Sequence, residues 1–158
     1  MAKKLTSFDQ EPGAEMLFSY FNEISIISQL SGAMFEKELP FGLTSAQFSV
    51  LNWFIRVDTE ATPGRLATAF QVTAGAMTNT LQKLAAKELI KVEPDPDSGR
   101  KKRVTITEKG RDQLEQAILC TMPVFDKLLQ ILDSAKIENQ LPLLQEIRKT
   151  LDDMRYKK

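Results

Sequence analysis

A mostly helical α+β fold is what this sequence predicts, and three observations predict it. Apolar residues recur at three- and four-residue steps over most of the chain. Two short runs near the middle alternate apolar and polar residues instead. Threonines at 44, 62, 73 and 107 stand where helices would start. With 158 residues, 42% of them hydrophobic, the chain has the length for one sizeable core.

The first helix is expected from Ala14 to about Glu38, with Leu17, Tyr20, Phe21, Ile24, Ile27, Met34 and Phe35 on one stripe. Pro40 and Gly42 end it, and residues 1–13 carry no such period and are expected to be disordered. Thr44 with Gln47 forms a capping box that opens a helix to about Arg56, whose inward face is Phe48, Leu51, Phe54 and Ile55. Thr62 before Pro63 starts a short third helix through Leu66, Ala67 and Phe70, because proline at the first helical position loses only an amide without a helical partner.

After a turn at Gln71 and Val72, Thr73 caps a fourth helix to about Lys87, with Met77, Leu81 and Leu84 facing inward. Leu89–Glu93 and Arg103–Ile106 alternate as strands, and residues 94–100 between them are expected to form a long polar tip. Thr107 caps a helix from Glu108 to about Leu132, with Leu114, Ile118, Phe125, Leu128, Leu129 and Leu132 on its buried stripe and a kink at Pro123. The last helix carries Ile137, Leu141, Leu144, Ile147, Leu151 and Met154, and Pro142 either kinks it or marks its start.

Two short helices across a tight turn, followed by a hairpin, make a winged helix-turn-helix with a two-stranded β-wing over residues 43–111. Long flanking helices lie in residues 14–42 and 112–158. They carry more apolar surface than a monomer should expose, so they are expected to form a dimerisation region within one structural domain.

The 21 Lys and Arg balance the 21 Asp and Glu, so any electrostatic function must be local. Residues 1–61 carry 4 basic and 8 acidic side chains, residues 62–111 carry 10 and 5, and residues 112–158 carry 7 and 8. The middle is therefore at +5 between flanks at −4 and −1, as a nucleic-acid-binding centre in a helical frame would be. The absence of histidine and the single Cys120 argue against His-based acid–base catalysis, Cys/His zinc sites and an intrachain disulfide. No nucleophile elbow, phosphate-cradling glycine loop or convincing carboxylate pair is present, so neither an enzyme nor a bound cofactor or metal is expected. With no apolar run long enough for a membrane helix and no signal-peptide core, no membrane partner is expected, and the expected compartment is the cytoplasm.

The outer face of the fourth helix carries Gly75, Ala76, Thr78, Asn79, Gln82 and Lys83, small enough for close approach to double-stranded DNA and polar enough to read it. Asn79 and Gln82 suit bidentate pairing with adenine, Ala76 and Thr78 suit thymine methyls, and Lys83 suits guanine or phosphate. Solvated positions of no function would look similar. In the wing, Gly99 precedes four consecutive cations, Arg100, Lys101, Lys102 and Arg103, suited to phosphates or the minor groove. Backbone amides at the helix starts near Pro63 and Thr73 would add phosphate contacts. Asp95 and Asp97 either pair with one of the cations or simply face solvent.

With these residues in place, the chain from about Ala14 onward resembles the MarR (multiple antibiotic resistance regulator) family of bacterial transcription factors. The resemblance rests on residues 43–51 (LTSAQFSVL), Leu66-Ala67, Val72-Thr73, residues 87–90, Asp95-Pro96, Gly99-Arg100 and residues 106–110 (ITEKG). It implies a homodimer with interleaved terminal helices that sets two winged helices on a pseudo-palindromic operator and represses or activates transcription. It also implies a small-molecule effector, for which Tyr20, Phe21, Phe48 and Trp53 are candidate pocket residues; the same side chains at helical spacing would serve as plain core.

Three positions depart from the family pattern. Ser98 stands where an aspartate usually precedes the wing arginine, Glu88 where glycine often follows the recognition helix, and Asn79 where arginine is frequent. A left-handed cap at Glu88 would cost about 1 kcal/mol, and Asn79 predicts a different operator sequence. Cys120 lies away from the position of the family's redox cysteines and fits a small buried hydrophobe better. The competing reading is a winged helix that binds protein or senses small molecules without specific DNA binding; the cation run and the acid-free stretch 61–87 favour DNA.

Overall fold

The computed structural model describes residues 12–156, which fall into two compact units, one ending at Thr121 and one beginning at Met122. Of the segment expected to be disordered, residues 1–11 lie outside the described span. Pro12 and Gly13 belong instead to the first turn of α1 (Pro12–Glu36), where proline is tolerated.

In the first unit, α1 leads through Phe41 and Gly42, both in the left-handed region, into α2 (Ser45–Arg56). The capping box is formed as the sequence predicts: Thr44 Oγ1 accepts from Gln47 N at 3.3 Å and Gln47 Oε1 accepts from Thr44 N at 3.4 Å. Val50, Leu51 and Phe54 are buried and Phe48 is half-buried, but Ile55 is exposed, a departure from the expected inward face. Burial of Val50 and of the Gln47 cap turns the helix toward its earlier residues.

Next come β1 (Glu60–Ala61), α3 (Pro63–Phe70), α4 (Ala74–Ala86), β2 (Ile90–Asp95), β3 (Ser98–Ile106) and α5 (Glu108–Ile131). The antiparallel sheet has the order β1-β3-β2, so the expected two-stranded wing gains a third strand. Only β3 tells that β1 exists, because two residues carry no readable alternation and their pairing, Glu60 to Thr105 and Ala61 to Val104, joins distant segments.

The core gathers Leu43, Leu51, Phe54, Leu66, Leu84, Leu89, Val104 and Leu114 from α2, α3, α4, β3, the start of α5 and the turns before α2 and β2. Fully burying one such side chain contributes about 1.5–3 kcal/mol. Met77, Leu81 and Leu84 are buried as their spacing predicts. On α5 the buried line runs through Leu114, Ala117 and Thr121, whereas Ile118 and Phe125 of the expected stripe are exposed. Small Ala117 allows the close approach, and the larger apolar side chains are left on an open face.

In the second unit, α5 continues through Pro123, with Leu129 and Leu132 exposed, and α6 (Ser134–Tyr156) follows. Asp133 caps α6, its Oδ1 accepting from Ala135 N at 3.1 Å and Lys136 N at 3.3 Å, so Pro142 lies inside this helix and does not start it. Ile137, Leu141, Leu144, Leu151 and Met154 are exposed along it. Among the described residues no helix is long and apolar enough to cross a membrane.

Candidate nucleic-acid interface

The turn between α3 and α4 is set by backbone conformation. Gln71 is left-handed at φ 54°, its amide bonding back to Thr68, while Val72 N donates to Ala67 O at 3.1 Å. That reversal leaves the chain extended at Thr73, whose Oγ1 accepts from Ala76 N at 3.2 Å and opens α4. Thr62 does the same for α3 through Arg65 N at 3.2 Å. With Met77, Leu81 and Leu84 anchored in the core, Gly75, Ala76, Thr78, Asn79, Gln82 and Lys83 are all exposed on the opposite side of α4.

The wing differs from the long polar tip expected for residues 94–100. Both strands run further, leaving only Pro96 and Asp97 as the turn between Asp95 and Ser98, which pair. Asp95 Oδ1 accepts from Asp97 N at 3.0 Å, closing a side-chain-to-backbone turn. Among the described residues no ion pair joins Asp95 or Asp97 to a wing cation.

Because Pro94 pairs with Lys102 while Asp95 pairs with Ser98, the residues Gly99, Arg100 and Lys101 bulge from β3 without partners on β2. The extra residues sit opposite proline, which has no amide to give to a ladder. The four cations therefore separate into two roles. Arg103 turns to β1 and meets Glu60 at 3.3 Å, while Arg100, Lys101 and Lys102 stay exposed.

Those three cations and the outer face of α4 enclose one groove. A cavity of about 430 Å³ is lined by Thr78, Leu81, Gln82 and Ala85 from α4, Val92, Glu93 and Pro94 from β2, Gly99–Lys102 from β3, and Pro63 at the start of α3. Pro63, Thr78, Gln82 and the wing cations are expected at the site from the sequence, whereas Val92 and Pro94 join it only in the fold. Their period-two spacing on one strand, which puts both on one face, is the signal that could have found them. The remaining helix residues Gly75, Ala76, Asn79 and Lys83 and the cap Thr73 are exposed on the same α3–α4 motif but are not in the groove lining.

The motif is braced from behind. Arg65 on α3 bonds to Asp58, and its guanidinium lies 5.1 Å from the centre of the Trp53 ring. The Arg65 hydrogen bond holds the Asp58 carboxyl below its ordinary value. Beyond the end of α4, Glu88 is left-handed at φ 63°, with Leu89 N returning to Leu84 O at 3.0 Å. Lys109 meets the Glu88 carboxylate at 2.8 Å and holds it below its ordinary value, and Thr107 Oγ1 donates to Glu88 O at 2.8 Å.

The candidate effector residues fall into two groups. Tyr20 and Phe21 on α1 meet edge to face with centroids 5.8 Å apart. Phe48 and Trp53 on α2 pack against the core, Trp53 edge-on to Phe54 at 5.4 Å. None of the four lines the groove between α4 and the wing. Cys120 is exposed, not buried as expected, because the buried line of α5 passes through its neighbour Thr121. Among the described residues no group of three metal-ligating side chains occurs.

Comparison with known proteins agrees with this geometry. Residues 41–101, from the loop before α2 to the wing, match the sequence model of the MarR family. The HTH-type transcriptional repressor NicR of Pseudomonas putida is 28% identical over 110 residues, which are 70% of this chain and 67% of that protein. The transcriptional regulator BldR from Sulfolobus solfataricus superposes with a TM-score of 0.74 at 27% identity, covering 89% of this chain and 97% of that one. A mutant of MarR from Escherichia coli in complex with operator DNA superposes with a TM-score of 0.69 at 25% identity, again covering 89% and 97%.

Proposed function

Because residues 41–101 match the MarR family model and the fold is that of MarR-type regulators, we propose that the chain is a MarR-type DNA-binding transcriptional regulator that works as a homodimer on a pseudo-palindromic operator and answers to a small-molecule effector. One observation carries the reading: the exposed face of α4 and three exposed wing cations border the same groove. Asn79, Gln82, Thr78 and Lys83, with close approach at Gly75 and Ala76, read base edges in the major groove. Arg100, Lys101 and Lys102, with Gly99 giving room and the amides near Pro63 and Thr73 assisting, hold phosphates or the minor groove and set the register.

Dimerisation is supported by apolar surface. Met16, Phe18, Ile27 and Leu30 on α1 and Ile137, Leu141, Leu151 and Met154 on α6 are exposed, each helix alone carrying more than a solvated helix needs. Residues 14–42 and 112–158 are on this reading the dimerisation region, and residues 43–111 the DNA-binding region. An effector changes affinity by changing the spacing of the two recognition helices, which must be about 34–36 Å or a multiple to enter successive major grooves.

The test is selection of fragments from the source genome by the purified protein at near-physiological salt, followed by footprinting. A protected inverted repeat with half-sites about one helical turn apart is the expected result. Weak binding that disappears as salt rises, with no sequence enriched, would overturn it and favour a winged helix serving a protein or small-molecule partner.

A further inference from the structure

The ammonium of Lys87, at the C-terminal end of α4, donates to three oxygens far from it in sequence. These are Phe41 O at 3.2 Å, Gly42 O at 2.6 Å and Gln47 Oε1 at 3.1 Å. An ammonium has three donors, so all are used. Two of the acceptors are consecutive carbonyls, brought to one nitrogen by the left-handed conformations of Phe41 and Gly42, at φ 61° and 60°. The third belongs to the side chain that closes the capping box of α2 and is itself buried.

The same loop is gripped from its other end. Glu36, the last residue of α1, accepts from Ser45 N at 2.9 Å, and hydrogen bonding from the Ser45 side chain, then from its backbone, holds the carboxyl below the ordinary value. A cation beside the start of a helix opposes the helix dipole, and the nearby carboxylate offsets it. A continuous polar chain thus joins α1, the start of α2 and the end of α4 through Glu36, Ser45, Thr44, Gln47 and Lys87.

We propose that Lys87 is a positioning residue for sequence recognition: it sets the tilt of α4 relative to α1 and α2 without touching DNA. This rests on the DNA-binding reading above. The mechanical reason is leverage. From Lys87 back to Gly75 is about 18 Å of helix, so a tilt of about 3° moves the leading end by about 1 Å. Base-edge pairs tolerate about half an ångström, whereas phosphate contacts from flexible lysines and arginines absorb such a shift. Loss of the clamp therefore erodes discrimination between sequences and spares nonspecific affinity.

The experiment takes the full-length protein, a duplex enriched by the wild type from a random-sequence pool, and an unselected duplex of equal length. Lys87→Met keeps the aliphatic stem and removes all three donors. The expected result is at least a tenfold loss of affinity for the selected duplex, with affinity for the unselected duplex and the salt slope unchanged. Parallel loss on both duplexes with a salt slope lower by about one would make Lys87 a phosphate contact and overturn the proposal. So would full retention of discrimination in a folded variant, whatever its melting temperature. If Lys87→Met does not fold, Lys87→Gln, which keeps an amide donor, carries the same comparison with an expected loss of about threefold or more on the selected duplex only. A wild type that enriches no sequence from the pool overturns the DNA-binding reading itself, an outcome distinct from a variant that fails to lose discrimination.

Discussion

Gly110, in the first turn of α5, lies directly against the backbone of Leu89: a Cβ at position 110 would stand 2.1 Å from the Leu89 carbonyl oxygen and 2.9 Å from Ile106 Cγ1. The same oxygen accepts from Thr107 N at 3.0 Å, and Gly110 N donates to Thr107 Oγ1 at 3.0 Å. The turn that follows α4 and the start of α5 are thus in backbone contact.

Gly110→Ala accordingly has the opposite sign from helix propensity. In an open helix the change would gain about 1 kcal/mol. Here the obstruction is backbone, which cannot rotate away, so a loss of about 2–3 kcal/mol is expected, seen as a melting temperature lower by about 4–12 °C. An unchanged or raised melting temperature would show that α5 does not sit this close.

Glu88→Gly should stabilise. Glu88 is left-handed at φ 63°, and glycine removes a strain of about 1 kcal/mol. The ion pair with Lys109 that is lost has side chains 78% and 50% exposed and contributes little. A gain of about 0.5–1 kcal/mol in urea unfolding is expected, while Glu88→Ala, which loses the pair and keeps the strain, should be neutral or destabilising. Glycine no better than alanine would contradict the assignment.

Asn79→Ala and Lys101→Ala should fail differently. The first is expected to cost about 1–3 kcal/mol on the selected operator and to relax preference at one base pair. The second should weaken every duplex alike and lower the salt slope by about one. Titrations of cognate and random DNA over a salt series separate the two; equal losses from both would show that the roles are misassigned.

Acid stability should report three carboxylates. Hydrogen bonds from Ser45 to Glu36, Arg65 to Asp58 and Lys109 to Glu88 lower each folded-state pKa. A lowered pKa means stabilisation present above the ordinary carboxylate value and lost as pH falls through the folded one. The melting temperature should therefore hold from about pH 8 to 5.5 and fall below about pH 4.5, there being no histidine to titrate between. Because all three carboxylates are solvent-exposed, replacing them by Gln, Asn and Gln should lower the neutral-pH melting temperature only slightly and take a small part off the acid-side drop; an unaltered drop would point to other groups.

What was determined locally was legible in the sequence. Thr44 with Gln47, Thr62 with Pro63, and Thr73 each cap the helix that follows, because a cap bonds amides within three residues of itself. The three- and four-residue spacing of Met77, Leu81 and Leu84 likewise fixes the outer face of α4, and with it the exposed candidates Asn79 and Gln82.

What depended on partners distant in the chain was decided only by tertiary structure. β1 exists because Glu60 and Ala61 meet Thr105 and Val104, and its presence draws Arg103 away from its three neighbours to Glu60. The bulge at Gly99–Lys101 depends on the register against Pro94. On α5 two apolar stripes compete, and the packing chooses Leu114 and Ala117 over Ile118. Lys87 is one more surface lysine by composition; only the fold brings three oxygens 40 to 46 residues away onto its ammonium. Periodicity and capping are short-range and written in adjacent residues, whereas register, choice of face and side-chain reach follow from how elements close on one another.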